Sequence, residues 1–145
     1  MCSRPQRGFT LVEVMVVLII LGLLAGLVTV NVRNYLIQGK QRTAKAQLAS
    51  FVQAIESYAA ATGELPGNQD GLAALLQTSD TLPEPLMKKI PLDPWGRPYV
   101  YLSPGRTDSF EVLTLGRDGR EGGTGEDADI SSADLTDTLA RDARP

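Results

Sequence analysis

The stretch RGFTLVEVMVVLIILGLLAGLVTV, residues 7–30, carries the strongest structural signal in this sequence. Residues 9–32 form an almost entirely apolar run that carries a single charged residue, Glu13. As a helix rising about 1.5 Å per residue, this run would be about 36 Å long, whereas the hydrocarbon core of a bilayer is ~30 Å thick. Arg4 and Arg7 precede the run, so its N-terminal end is expected to face the cytoplasm. The sequence therefore predicts a transmembrane helix over residues 9–32.

Two other classes of apolar N-terminal segment fit this run less well. A secretory signal peptide has a shorter apolar region followed by a small-x-small cleavage site, and no such site follows here. A plain single-pass anchor does not account for Glu13, because an acid inside a transmembrane segment costs about 2.5–3.5 kcal/mol on insertion scales and needs a partner. The run contains no basic residue, so the partner must come from outside it. A free α-amino group would serve if the chain were cut immediately before Phe9.

Composition excludes several classes of function. The chain has 145 residues, enough for one domain with an appendage. Its formal net charge is −3, so it lacks the general basic surface of a nucleic-acid-binding protein. Histidine is absent and the single cysteine is Cys2, which removes the usual general base, the commonest zinc ligand and any internal disulfide. We therefore predict that the chain is not an enzyme and does not bind nucleic acid.

The N-terminal motif resembles that of type IV pilins and type II secretion pseudopilins. In that family a short basic leader ends in glycine, Phe-Thr-Leu follows, and a glutamate lies five positions after the glycine. The matching residues here are Gly8, Phe9, Thr10, Leu11 and Glu13. The resemblance implies that a prepilin peptidase cuts the Gly8–Phe9 bond, removes residues 1–8 as a leader and methylates the new amine of Phe9. It also implies that Phe9 and Glu13 act in assembly, with the Phe9 ammonium of one subunit beside Glu13 of a neighbour.

The helical pattern continues beyond the apolar run. Residues that suit the buried face of an amphipathic helix recur at spacings of three and four. They are Ala44, Leu48, Phe51, Val52, Ile55, Tyr58, Ala59 and Thr62. Gly63 follows the last of them, which is typical of a helix C-terminus. We therefore predict one helix from about Phe9 to Thr62, with its first half in lipid and its second half covering a sheet.

Prolines and β-prone runs downstream of the helix predict a small sheet joined by loops. Residues 71–77 follow Asp70, a suitable N-cap, so a short helix is expected there. The runs PYVYL (98–102) and SFEVLT (109–114) flank a turn sequence and predict a β-hairpin. Trp95 is expected to anchor the preceding loop on this sheet.

The stretches LDPWGRPYVY and FEVLTLGRDG resemble the globular domain of major type II secretion pseudopilins. Together with the N-terminal motif, the resemblance covers about residues 7–132. It implies an α+β, pilin-like fold: a long N-terminal helix, its first half transmembrane, packed on a small antiparallel β-sheet with a C-terminal calcium loop. The expected segments are a cleaved leader (1–8), a transmembrane polymerisation helix (9–32), a periplasmic globular domain (33–132) and a flexible tail (133–145).

The stretch LGRDGREGGTGEDADI, residues 115–130, is rich in acids and glycine. Within it, twelve residues contain five carboxylates: Asp118, Glu121, Glu126, Asp127 and Asp129. A solvated acidic loop is the simpler interpretation. However, so many carboxylates repel one another unless something neutralises them, and calcium takes about 6–8 oxygens from carboxylates and carbonyls. The pattern matches neither an EF-hand nor a stacked β-roll repeat.

The family resemblance implies a calcium ion in this loop. Carried over residue by residue, it suggests Asp118, Asp127 and Asp129 as side-chain ligands, and Leu115 and a mid-loop residue such as Thr124 as carbonyl ligands. Because the alignment across the glycines is ambiguous, the choice between Asp127 and Asp129 as the direct ligand stays open.

The function implied by the resemblance is structural. A major pseudopilin polymerises into the periplasmic pseudopilus of a type II secretion system and drives the export of folded proteins across the outer membrane. The implied partners are other copies of the chain, minor pseudopilins, the inner-membrane assembly platform, the membrane and the prepilin peptidase. Such a subunit is single-pass in the inner membrane, with its N-terminus cytoplasmic and its globular domain periplasmic, until assembly extracts it into the pseudopilus.

Two alternative functions stay open. A type IV pilin for adhesion or motility shares the N-terminal motif, but such pilins commonly close a C-terminal loop with a disulfide that this chain cannot make. A membrane-tethered, calcium-dependent binding module would use the same acidic loop without forming filaments.

Overall fold

The computed structural model describes residues 8–135, apart from the side chains of residues 27–31. Most of the predicted leader, with Cys2, and residues 136–145 of the predicted tail lie outside the described residues. The regular elements are helix α1 (Leu11–Thr62), a 3₁₀ helix (Gly71–Leu76), strands β1 (Val100–Leu102) and β2 (Glu111–Thr114), a second 3₁₀ helix (Gly125–Asp127) and strand β3 (Ile130–Ser131). The chain divides into two compact units, one ending at Leu36 and the other beginning at Ile37.

In the first unit, residues 11–24 form an apolar stretch of α1. Large apolar side chains remain exposed along it, from Leu11 (76%) to Leu24 (54%). Within residues 8–135, the structure contains no helix with the length and hydropathy of a membrane span. The span over residues 9–32 stays a prediction.

The second unit is built on the C-terminal part of α1. The buried residues of this part include Ala44, Leu48, Phe51 and Ile55, spaced by four, three and four, so they form one stripe along the helix. They join Tyr99, Val112 and Ile130 in a single hydrophobic core. This arrangement confirms the amphipathic helix predicted from the spacing, including its end at Thr62.

The sheet is antiparallel, three-stranded and ordered β1-β2-β3. Tyr101 pairs with Val112 in the predicted hairpin, and Thr114 pairs with Ile130 at the other edge of β2. All four residues of the central strand β2 are buried. Strand β3 was not predicted, because two residues are too short to show an alternating pattern. Residues 132–135 follow it as helix.

The predicted short helix after Asp70 is present but differs in kind. It is a 3₁₀ helix rather than an α-helix, and the side chain of Asp70 makes no capping hydrogen bond. Gly71 has φ +53°, a conformation that favours glycine. Asp70 thus occupies the predicted N-cap position but does not cap the helix through its side chain.

Trp95 is partly buried and packs against the core, which confirms its predicted anchoring role. The turn that holds it is organised by the buried carboxylate of Asp93. Asp93 Oδ1 accepts hydrogen bonds from the backbone N–H groups of Trp95 (3.0 Å) and Arg97 (2.7 Å). Asp93 Oδ2 accepts one from the hydroxyl of Thr114 at the end of β2. The turn is thus fixed to the point where the acidic loop begins.

Candidate functional site

The N-terminal motif lies at the exposed start of α1. Phe9 is 82% exposed, and a Cβ added to Gly8 would meet nothing within 4 Å. Both residues precede the helix, which begins at Leu11. The predicted scissile bond therefore lies in exposed, non-helical chain just before α1.

Thr10 caps the start of α1, a local role that the sequence reasoning missed. The backbone N–H of Glu13 donates to Thr10 Oγ1 at 3.3 Å, and the backbone N–H of Val14 donates to the Thr10 carbonyl at the same distance. Thr-x-x-Glu at a helix start is the capping-box sequence, and an acid in the first turn also suits the helix dipole. The spacing of Thr10 and Glu13 was the signal that could have revealed this.

The carboxylate of Glu13 has no ion-pair partner within the described part of the chain. With Phe9, Val14, Val17 and Leu18, Glu13 lines a shallow apolar depression of about 300 Å³. Phe9 and Glu13, four residues apart, thus lie on the same side of the segment. The arrangement presents one acid on an apolar surface, which suits a positively charged partner from outside the chain.

The acidic loop between β2 and β3 is folded back on itself. Gly116 (φ +62°) and Gly123 (φ +95°) both lie against the backbone of Asp127, and a Cβ on Gly123 would come within 2.5 Å of the Asp127 carbonyl oxygen. Only glycine fits such an approach with positive φ. The glycines therefore bring the two limbs of the loop together.

The predicted calcium ligands are spread around this loop. Among residues 8–135, no group of three or more acidic or cysteine side chains is close enough to hold a metal ion. Asp118 Oδ1 accepts from the backbone N–H of Arg120 at 3.1 Å, and Asp129 Oδ2 accepts from that of Gly122 at 2.8 Å. The carbonyls of Leu115 and Thr124 each accept one backbone hydrogen bond, at 3.2 Å.

Two of the predicted ligands differ sharply in their surroundings. Asp129 Oδ1 is buried and has no hydrogen-bond partner among the described residues. An unpartnered buried carboxylate oxygen is costly, so this atom fits a cation ligand. Both oxygens of Asp127, in contrast, accept hydrogen bonds from the guanidinium of Arg117.

The loop is also tied to α1. Lys40 Nζ lies 3.2 Å from Glu126 Oε1, and Gln41 Nε2 donates to the Gly125 carbonyl at 2.7 Å. The hydrogen bond from Lys40 is the main reason why the pKa of Glu126 lies below its ordinary value. Lys40 Nζ also lies 6.0 Å from the centre of the Trp95 ring. These contacts were missed, because residues 86 positions apart leave no local pattern in the sequence.

Comparison with known families matches nearly the whole chain. The family model of type II secretion system protein G matches residues 31–133, and the prokaryotic N-terminal methylation motif matches residues 3–29. The methylation motif spans Gly8, Phe9 and Glu13, the residues whose geometry is described above.

Two relatives and one solved structure agree with these matches. A type II secretion system core protein G of Pseudomonas aeruginosa is 42% identical over 141 residues, covering 92% of this chain and 99% of the relative. The protein of that name from Vibrio cholerae is 41% identical, with coverage of 92% and 96%. The crystal structure of the major pseudopilin from the type 2 secretion system of enterohaemorrhagic Escherichia coli has a TM-score of 0.54 at 24% identity, covering 65% of this chain and 86% of that chain.

The solved structure supports the fold: a long helix on a small antiparallel sheet. The family matches decide among the three predicted functions and favour the secretion pseudopilin. The methylation motif implies processing by a prepilin peptidase and self-assembly. The chain belongs to the type II secretion system protein G family and is a structural subunit of the pseudopilus, not an enzyme.

Proposed function

We propose that this chain forms the body of a periplasmic pseudopilus by polymerising through its N-terminal segment, and that growth of this filament drives folded proteins across the outer membrane. The observation that best supports the proposal is the arrangement of Phe9 and Glu13 around the start of α1. Phe9 and Glu13 lie on one side of a segment whose large apolar side chains are exposed. Exposed apolar surface of this extent needs a cover, which lipid supplies before assembly and neighbouring subunits supply afterwards.

The proposal gives the chain a defined set of partners. Before assembly, residues 9–32 span the inner membrane with the N-terminus in the cytoplasm and residues 33–132 in the periplasm. Other copies of the chain, the minor pseudopilins and the inner-membrane assembly platform then take the place of lipid around the segment. The prepilin peptidase acts first, because only cleavage creates the Phe9 amine that Glu13 is proposed to meet.

Processing is tested by a Gly8→Val substitution, which should block cleavage of the Gly8–Phe9 bond. The chain itself has room for the new side chain, because a Cβ at Gly8 meets nothing within 4 Å. Any block therefore arises in the peptidase site, which the valine would crowd. Intact-mass measurement of the membrane-extracted protein should give residues 9–145 plus one methyl group for the unchanged chain, and the full leader for the variant.

A Ser3→Val substitution is the matched control, since it adds the same side chain to the leader five positions upstream. It should leave processing normal. Assembled protein that retains residues 1–8 would contradict the proposed cleavage site.

We further propose that the acidic loop binds one calcium ion. Asp118 and either Asp127 or Asp129 would serve as side-chain ligands, and Leu115 and Thr124 would serve as carbonyl ligands. The support is the buried Oδ1 of Asp129, which has no hydrogen-bond partner among residues 8–135, together with carbonyls that keep a free lone pair after accepting one hydrogen bond each. The ion would supply positive charge that offsets repulsion between the carboxylates and would hold the loop in its folded form.

Calcium should accordingly raise the melting temperature of the full chain in detergent micelles. A ligand bound only by the folded state stabilises it by RT ln(1 + [L]/Kd), about 2.7 kcal/mol at a hundredfold excess over Kd. Asp118→Ala should remove most of this gain, whereas Asp80→Ala, at an exposed acid outside the loop, should keep it. A melting temperature that chelator leaves unchanged would mean that the loop is only a solvated acidic turn.

A further inference from the structure

We infer that Arg117 is the built-in counter-ion of Glu126 and Asp127, so that Asp127 fastens the loop through this arginine and is not a calcium ligand. The second part of the inference rests on the proposed calcium site, while the first part stands without any metal. Together they resolve the choice between Asp127 and Asp129 that the sequence leaves open.

The contacts of Arg117 form a fork around the two acids. Its Nε lies 3.0 Å from Asp127 Oδ1 and its Nη2 lies 3.2 Å from Asp127 Oδ2. The remaining nitrogen, Nη1, lies 3.1 Å from Glu126 Oε2. The backbone N–H of Arg117 also donates to the Glu126 carbonyl at 3.0 Å. A planar guanidinium that meets both oxygens of one carboxylate is the strongest of the ordinary ion-pair geometries.

This fork leaves Asp127 poorly suited to a calcium ion. Each of its carboxylate oxygens already accepts an N–H from a cation, and a divalent ion on the same oxygens would lie close to the positive charge of Arg117. The carboxylate of Asp129 differs on both counts: Oδ2 accepts one backbone N–H from Gly122, and the buried Oδ1 has no partner among the described residues. Of the two acids, Asp129 is therefore the better candidate for binding a cation.

The arginine also extends the contact from the loop to α1. Glu126 uses one oxygen for Arg117 and the other for Lys40. Lys40 in turn lies 6.0 Å from the ring centre of Trp95, the single tryptophan of the sequence. Loss of the arginine should therefore loosen the loop next to a natural fluorescent reporter.

The expected effect is local, because the pairs are partly exposed. The side chain of Arg117 is 51% exposed and that of Asp127 is 32% exposed, and exposed ion pairs contribute little to global stability. What the fork fixes is the position of the loop on α1. The test must therefore report on the loop itself and on calcium affinity, rather than on global unfolding.

The test compares Asp127→Asn with Asp129→Asn, two substitutions that keep shape and remove charge, in the full chain in detergent micelles. Calorimetry with calcium chloride should show that Asp129→Asn weakens binding by at least about tenfold, while Asp127→Asn leaves the affinity unchanged. Equal loss in the two variants would overturn the inference, because Asp127 would then be a ligand.

The counter-ion role is tested separately in the presence of chelator. Arg117→Gln should shift the emission of Trp95, and Asp127→Asn should shift it in the same direction. The double variant should shift it no further, because both changes remove one shared contact. Arg120→Gln, at an exposed neighbouring arginine, is the control and should leave the emission unchanged.

Emission that is unaffected by Arg117→Gln would overturn the counter-ion role. Absence of calcium binding by the unchanged chain would overturn the proposed calcium site instead, and the chelator experiment would still decide the role of Arg117. The two failures are thus distinguishable.

Discussion

A Phe51→Ala substitution should destabilise the globular unit by about 3–5 kcal/mol, the range measured when large core aromatics are truncated to alanine. Phe51 is fully buried at the centre of the α1 stripe, and its ring meets that of Tyr99 edge to face with centroids 5.0 Å apart. Truncation would remove this contact and leave a cavity between the helix and the sheet, with little room to collapse because Leu48 and Ile55 hold the flanking turns. Small domains have only about 5–15 kcal/mol of stability in total.

Urea unfolding of the full chain in detergent micelles, followed by the emission of Trp95, measures this loss. A lower midpoint with an unchanged slope would indicate a loss of stability without a change in the denatured state. Gln53→Ala, two residues further along the same helix and exposed, is the matched control and should change stability by less than about 0.5 kcal/mol. Equal midpoints for the two variants would mean that the packing of Phe51 does not hold the helix on the sheet.

The helix and its buried face could be predicted because they rest on local, repeated information. Apolar residues spaced by three and four positions from Ala44 to Ile55 lie on one face of a helix. Gly63, with φ +83°, then ends that helix. The hairpin could be predicted for the same reason, since β-prone runs flank a turn. The N-terminal motif could be recognised because its residues follow one another in the chain.

The rest of the fold depends on contacts between residues far apart in sequence. Strand β3 has two residues, and it exists because Ile130 pairs with Thr114 and fills the core. Ser131 beside it donates to the buried carboxylate of Glu111 at 2.6 Å. Neither residue carries a strand pattern of its own, so only the sheet that precedes them gives them their conformation.

In the candidate calcium loop, too, the sequence does not show which charged groups come into contact. The sequence reveals that acids are numerous between residues 115 and 130, and a nearby cation would offset their mutual repulsion. It does not reveal which cation each acid meets. Arg117 lies within the same stretch, ten residues before Asp127, and folding of the glycine-rich limbs decides that the two come together. The family resemblance therefore implies two aspartate ligands, Asp127 and Asp129, whose environments in the structure differ.

Glu13→Ala should prevent filament growth and secretion while leaving membrane insertion and Gly8–Phe9 cleavage intact. In a polymer with staggered subunits, the Phe9 ammonium of one chain would meet Glu13 of its neighbour within an apolar interior. Removing one partner of such a buried pair typically costs about 3–5 kcal/mol, and the cost recurs at every subunit added. Electron microscopy at matched protein levels measures filament growth, and intact mass measures cleavage.

The capping contact of Thr10 makes two further variants necessary, because Glu13→Ala alone could act by weakening the start of the helix. Glu13→Gln keeps the size of the side chain and its capacity to cap but removes the charge, so it should also fail to assemble. Thr10→Ala removes the hydroxyl that accepts from the backbone N–H of Glu13 and keeps the charge. It should cost about 1 kcal/mol of helix stability and still form filaments once cleavage is verified.

Filaments from Glu13→Gln but not from Thr10→Ala would assign Glu13 to the helix cap, and filaments from all three variants would show that the acid has another role. Failure of both Glu13 variants with normal assembly of Thr10→Ala is the result expected if a neighbouring subunit is the partner of this carboxylate.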